Sequence, residues 1–204
     1  AHLRLCHIFK IFRSNNPKLL LKAYIIYVRS ILEYCSPVWS PFYLKDIILI
    51  ERVQKRITRK ILGESKSYRE ILNELTLKRL EERRIKADLM ECFKYQNFDF
   101  YPKNIFQNSK NKYNKNHDLF IEYARTYMSK FWFANRTSKI WNILPNVVKN
   151  SKTFISFVNN LYNIDLSVFS GKNALLPFRY RKFNFLDRIK CIRLKYYVFV
   201  FTTN

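Results

Sequence analysis

Hydrophobic residues recur at spacings of three and four over most of the first 165 positions, the period of α-helices that bury one face. Leu20, Tyr24, Tyr27, Val28 and Ile31 form the first clear stripe. Asn16-Pro17 stands just ahead of it, with Asn suited to the N-cap and Pro to the first helical position. Lys18, Lys22 and Arg29 fall on another face, and Pro37 and Pro41 in the run SPVWSP are expected to end the helix. A second helix is predicted from about Tyr43 to Leu62, with Ile50, Val53, Ile57 and Ile61 inward and Gly63 as its stop. Ser67 and Glu70 fit a capping box for a short helix, Tyr68–Leu75. A longer helix follows over about Lys78–Tyr95, with Ile85, Leu89, Cys92 and Phe93 on its apolar side. Its remaining faces mix Glu81, Glu82, Arg83, Arg84, Lys86 and Asp88 and read as solvated.

Residues 96–128 lose the period and are rich in Asn, Lys, Tyr and Phe, so a long basic loop or linker is expected. Phe133, Thr137, Ile140, Trp141 and Leu144 restore it, and Pro145 closes that segment. Ser151 or Thr153 can cap a last helix carrying Phe154, Phe157, Val158 and Leu161. The expected fold is mainly α, an irregular helical bundle with a long basic loop. Its parts are a helical domain over 1–95, the loop over 96–128, a helical subdomain over 129–170 and a basic aromatic tail over 171–204.

Charge changes this picture most. The 204 residues include 38 Lys and Arg against 15 Asp and Glu, a net of +23, while 48% of positions are hydrophobic. So much apolar material excludes a wholly disordered chain. With only 2 Gly, glycine-rich phosphate loops and turn-dense β-sandwiches are excluded as well. Residues 101–152 carry ten basic and two acidic side chains, so the positive charge is concentrated rather than mixed. A cationic body of this kind repels itself and calls for a polyanionic partner. The start at Ala1 is read as that of a piece of something longer. No stretch reaches the apolar length of a membrane span, and no secretory signal is visible. Cys6, Cys35, Cys92 and Cys191 show no paired spacing and read as buried thiols in a reducing compartment, so an intracellular site, nucleus or cytoplasm, is expected.

Catalytic chemistry finds little support. Two-metal nucleotidyl transfer needs paired carboxylates, and the six Asp include no adjacent pair. Glu81 and Glu82 are adjacent, but neighbouring helical residues point apart. His2 and Cys6 stand at the i, i+4 spacing of metal ligands without a second pair, and a frayed terminus is the preferred reading. His117 lies in the basic loop, and no Cys–His pair is singled out. No metal or cofactor is expected in this chain.

The cations are more informative. Arg52, Lys55, Arg56, Arg59 and Lys60 share an arc of roughly 140° opposite the second helix's apolar stripe. Five like charges on one side of one helix favour contact with phosphates over a generic soluble surface. A second candidate is the segment Lys130–Lys139, where Trp132, Arg136 and Lys139 interleave aromatic and cationic side chains off the Phe133 stripe. Such residues can stack bases and hold phosphates. The competing reading, favoured by the size of the indole, is that Trp132 packs on a neighbouring helix.

Four segments carry a family resemblance. The run LLLKAYIIYVRSILEYCSPVWSPFYLKDIILIERVQKRITRKILG resembles the C-terminal region of non-LTR (LINE-type, jockey/CR1-like) retrotransposon reverse transcriptases. Those proteins carry an "LVRPILEYASPVWSP" segment and then a "DI-LLE-VQRRFTR-I-G" segment. SYREILNELTLKRLEERRIKADLMECFKY, FWFANRTSKIWNILP and SKTFISFVNNLY are similar to later segments of the same family, in the same order, over about residues 8–165. Ser30 stands where the family usually has Pro, Ser138 and Lys139 replace apolar and amide residues, and the chain after about Leu166 has no counterpart. The resemblance implies a thumb and post-thumb region that grips template RNA and primer DNA. The paired Asp residues and the Mg of the parent polymerase core belong upstream, so no polymerisation by this chain alone is expected. The implied partners are RNA, DNA and that upstream core, with no membrane. The alternatives are a helical protein-interaction module that packs on the missing core, or a decayed element fragment without activity.

Overall fold

The computed structural model describes residues 1–12, 16–63, 65–109 and 118–169, and these are mainly helical. The Cys191 reading, the His117 reading and the tail over 171–204 lie outside the described residues.

Helix α1 (His2–Ile11) buries Leu5 and Ile8, so the expected frayed terminus is instead a packed helix. Helix α2 (Pro17–Tyr24) starts as its sequence predicts, with Asn16 Oδ1 accepting from the Lys18 N–H at 3.1 Å. It runs on through a π-helical turn (Ile25–Arg29) into α3 (Ser30–Glu33). The predicted stripe changes at that turn. In an unbroken α-helix, positions four apart drift by about 40° per step. The extra residue in a π-turn absorbs that drift, so Tyr24, Val28 and Leu32 stay buried in line. Tyr27 and Ile31, expected inside, face outward. Pro37 does not end this helix: the chain turns at Cys35, whose φ is 50°, and Pro37 sits in the first turn of α4 (Ser36–Trp39). Cys35 is exposed and Cys6 half-buried, so of the described thiols only Cys92 is buried as expected.

Helix α5 (Leu44–Leu62) matches its predicted span, and Gly63 ends it at a φ of 86°, where a side chain would be strained. Its inner face buries three polar residues, Glu51, Gln54 and Thr58, as well as Val53 and Ile57. Gln54 accepts from the Tyr24 hydroxyl at 2.9 Å and donates to the Lys78 carbonyl at 3.1 Å. Glu51 accepts from the Tyr68 hydroxyl at 2.6 Å and from the Leu80 N–H at 3.1 Å. Burial pushes the Glu51 carboxyl up, and these two donors with Arg79 and Arg84 pull it back. The network ties α5 to α2, to α6 (Tyr68–Glu74) and to the start of α7 (Leu80–Asn97). At α6 the predicted capping contact forms, Glu70 accepting from the Ser67 N–H at 2.9 Å.

Helix α7 corrects the sequence reading most. It lies between two cores. Leu80 joins Leu5, Leu20, Tyr24, Val28 and Ile57 in the first, and Ile85, Leu89, Cys92 and Phe93 join Trp141 and Phe157 in the second. The faces read as solvated therefore bury Glu81, Arg84 and Asp88. For Asp88 a distant partner makes this possible, a two-point ion pair from Arg136 at 2.8 and 3.1 Å, and the neighbouring Arg83 pairs with Glu33.

The 96–128 segment, much of it exposed among the described residues, is anchored to the second core at two points. Phe106 and Leu119 sit in the second core, and Asn108 and Leu119 form an antiparallel bridge. Helix α8 (Tyr127–Lys130) leads into α9 (Phe133–Ile143), then α10 (Asn146–Lys149) and α11 (Phe154–Tyr162), with a 3-10 turn at Leu166–Phe169. Thr153 caps α11 by accepting from the Ser156 N–H at 3.2 Å. No helix among the described residues is long and apolar enough to cross a membrane.

Candidate nucleic-acid interface

Helix α5 is amphipathic around its whole length, so burying Val53 and Ile57 forces the opposite side outward. Arg52, Arg56 and Lys60 are exposed, and Lys55 and Arg59 are half-buried. All five cations line one groove of about 640 Å³, whose other wall is Phe9 of α1. The five cations that share one face of α5 thus also share one groove, and Phe9 adds a wall from another helix. Leu5, Ile8, Phe9 and Phe12 have the helical spacing that would have revealed α1.

Contacts with aromatic and neutral groups hold two of the cations, Arg56 and Lys55, in place. The Arg56 guanidinium lies 5.8 Å from the centre of the Phe9 ring, and its Nη1 donates to His2 Nε2 at 3.0 Å. A guanidinium has no acceptor, so His2 must accept through Nε2. The Lys55 ammonium lies 5.7 Å from the Tyr68 ring centre. Arg59 Nε is buried without a hydrogen-bond partner. Among the described residues, no ion pair reaches any of the five. On α7, burial together with Arg83 and Lys78 pushes the Lys86 amine down to about 8. The groove is thus a positive concavity with uncompensated charge, and its low-dielectric walls focus the field outward.

The second predicted cluster does not assemble as expected. Arg136 is committed to the fold: besides Asp88 it donates to the Pro37 carbonyl at 2.6 Å and the Phe131 carbonyl at 3.3 Å. Its side chain is therefore a bracket between α4, α7 and α9, not a phosphate contact. Trp132 stays at the surface, 36% exposed, where it precedes α9. Lys139 is half-buried, and burial together with Lys130 pushes its amine down. Among the described residues, no group of His, Cys, Asp and Glu is placed to hold a metal ion. His2 Nδ1 and Cys6 Sγ, 3.8 Å apart, are a lone pair of ligand types.

No family model matches the chain, no curated protein matches it and no solved structure matches it.

Proposed function

We propose that this chain is a nucleic-acid-binding C-terminal region of a retroelement reverse transcriptase, gripping the sugar–phosphate backbones of template RNA and primer DNA inside the cell. One observation carries the binding: five cations of α5 line a single groove with no acid among the described residues paired to any of them. Contacts of this type position a strand and do not read its sequence. The retroelement assignment rests on the four segments that resemble that family in order. Catalysis is assigned to the upstream core, with its own Asp pair and Mg.

The test is affinity for an RNA–DNA hybrid against salt concentration. The logarithm of affinity should fall steeply with the logarithm of salt, by about 0.9 per phosphate neutralised. Arg52→Glu, Arg56→Glu and Arg59→Glu together should flatten the slope by about 2 to 3. A flat wild-type plot, or an unchanged slope in a triple variant that keeps its helical circular dichroism, would remove the groove as the site.

A second reading has its own observation. The π-turn leaves Ile26 60% and Tyr27 53% exposed, an apolar surface suited to packing on a protein core. Sedimentation should then show concentration-dependent self-association; a monodisperse monomer counts against this reading.

A further inference from the structure

A second surface lies at the other end of α5. Phe42 and Phe131 come from distant parts of the chain, yet their rings stack with centres 4.3 Å apart and planes 5° from parallel. The Tyr43 ring meets Phe42 at 4.2 Å, and Trp132 follows Phe131 directly. Packing has not hidden these rings: Phe42, Tyr43 and Phe131 are half-buried, and Trp132 is exposed. Cations surround them. The Lys45 ammonium lies 5.7 Å from the Tyr43 ring centre and that of Lys130 lies 5.9 Å from the Phe131 ring centre.

This surface is continuous with the groove. Lys45 is exposed on α5, and at 100° per residue it falls within roughly 20° of both Arg52 and Arg56. From Lys45 to Arg56 the helix advances roughly 16 Å. Between them the same face exposes Ile48 and Leu49, which present no charge to obstruct a strand.

We infer that the aromatic cluster Phe42, Tyr43, Phe131 and Trp132 takes unpaired bases of a single-stranded nucleic acid whose backbone continues past Lys45 into the groove. Bases inside a duplex cannot reach such rings, whereas unpaired bases stack on aromatic side chains with little regard to sequence. The ligand is therefore a strand that leaves a duplex, with its paired part along the cationic groove and its unpaired part on the rings. This rests on the groove reading above and adds the unpaired part.

The experiment uses the full chain with two probes: a blunt RNA–DNA hybrid and the same hybrid with an overhang of about ten unpaired nucleotides. The overhang should tighten binding by about tenfold and quench tryptophan emission. Trp141 is buried and Trp39 half-buried, so Trp132 is the indole best placed to report. Trp132→Phe should abolish most of the quench while the overhang probe still binds. Phe131→Leu, which keeps apolar bulk, should reduce the overhang advantage about fivefold and leave hybrid affinity unchanged. Equal affinity for the two probes without a quench would overturn the platform and leave the groove standing. Failure of both probes to bind at low salt would overturn the groove and the platform together.

Discussion

Asp88→Ala is expected to destabilise the protein by about 3–5 kcal/mol, because it strands a guanidinium that has lost its counter-charge. Asp88 is 3% exposed, and its carboxylate holds two nitrogens of Arg136. Burial pushes its carboxyl up; Arg136 and Arg84 oppose that push. The pair is therefore costly to desolvate and more costly to break on one side. After truncation Arg136 would keep, among the described residues, the Pro37 and Phe131 carbonyls as acceptors. Arg84, one turn before Asp88, would be worse placed still, since both its terminal nitrogens are already buried without hydrogen bonds. Replacing both partners with apolar residues (Asp88→Leu with Arg136→Met) should recover much of the loss, since no charge is then left buried alone. Urea denaturation of the two variants gives the comparison. A single substitution costing under about 1 kcal/mol would mean that water reaches the site and the bracket is weaker than its geometry implies.

That bracket also marks how far the sequence could be read. Helix α5 was legible end to end because its signals are local: an apolar stripe, an opposing cationic arc and Gly63 immediately after. Its five cations needed no further information to be placed on one face. Helix α7 differs from its sequence reading because burial of Asp88 depends on a partner that no local window contains, Arg136 lying on another helix altogether. Arg136 was misassigned for the same reason: a lone Arg in an aromatic stretch looks the same whether its acceptor is a phosphate or a distant carboxylate. The outward turn of Tyr27 depends on one extra residue in a helical turn, which periodicity at a fixed 100° per residue does not register. The place of Phe9 has a local signal, the helical spacing of Leu5, Ile8, Phe9 and Phe12, but scattered charges at a chain terminus equally fit a frayed end.

Trp141→Ala is expected to cost about 3–5 kcal/mol, the range for removing a large aromatic from a closed core. Trp141 is fully buried, with its ring 5.7 Å from Phe157, which in turn stacks on Phe93 of α7 at 4.5 Å. Removing the indole leaves a cavity between α9, α11 and α7 that rigid neighbours can only partly close. The consequence for the groove follows from α7 alone. Because that helix supplies Leu80 to the first core and Phe93 to the second, loosening one core removes support from the other. Urea unfolding of Trp141→Ala should remain a single transition at lower denaturant, seen alike by circular dichroism and by the remaining tryptophans. Hybrid binding should then weaken only as the folded population falls, with the salt slope unchanged, since the indole lies in the core that does not carry the five cations. Two separate transitions, with the groove still binding after the first, would show that α7 does not couple the cores. The cationic surface would then stand on the first core by itself.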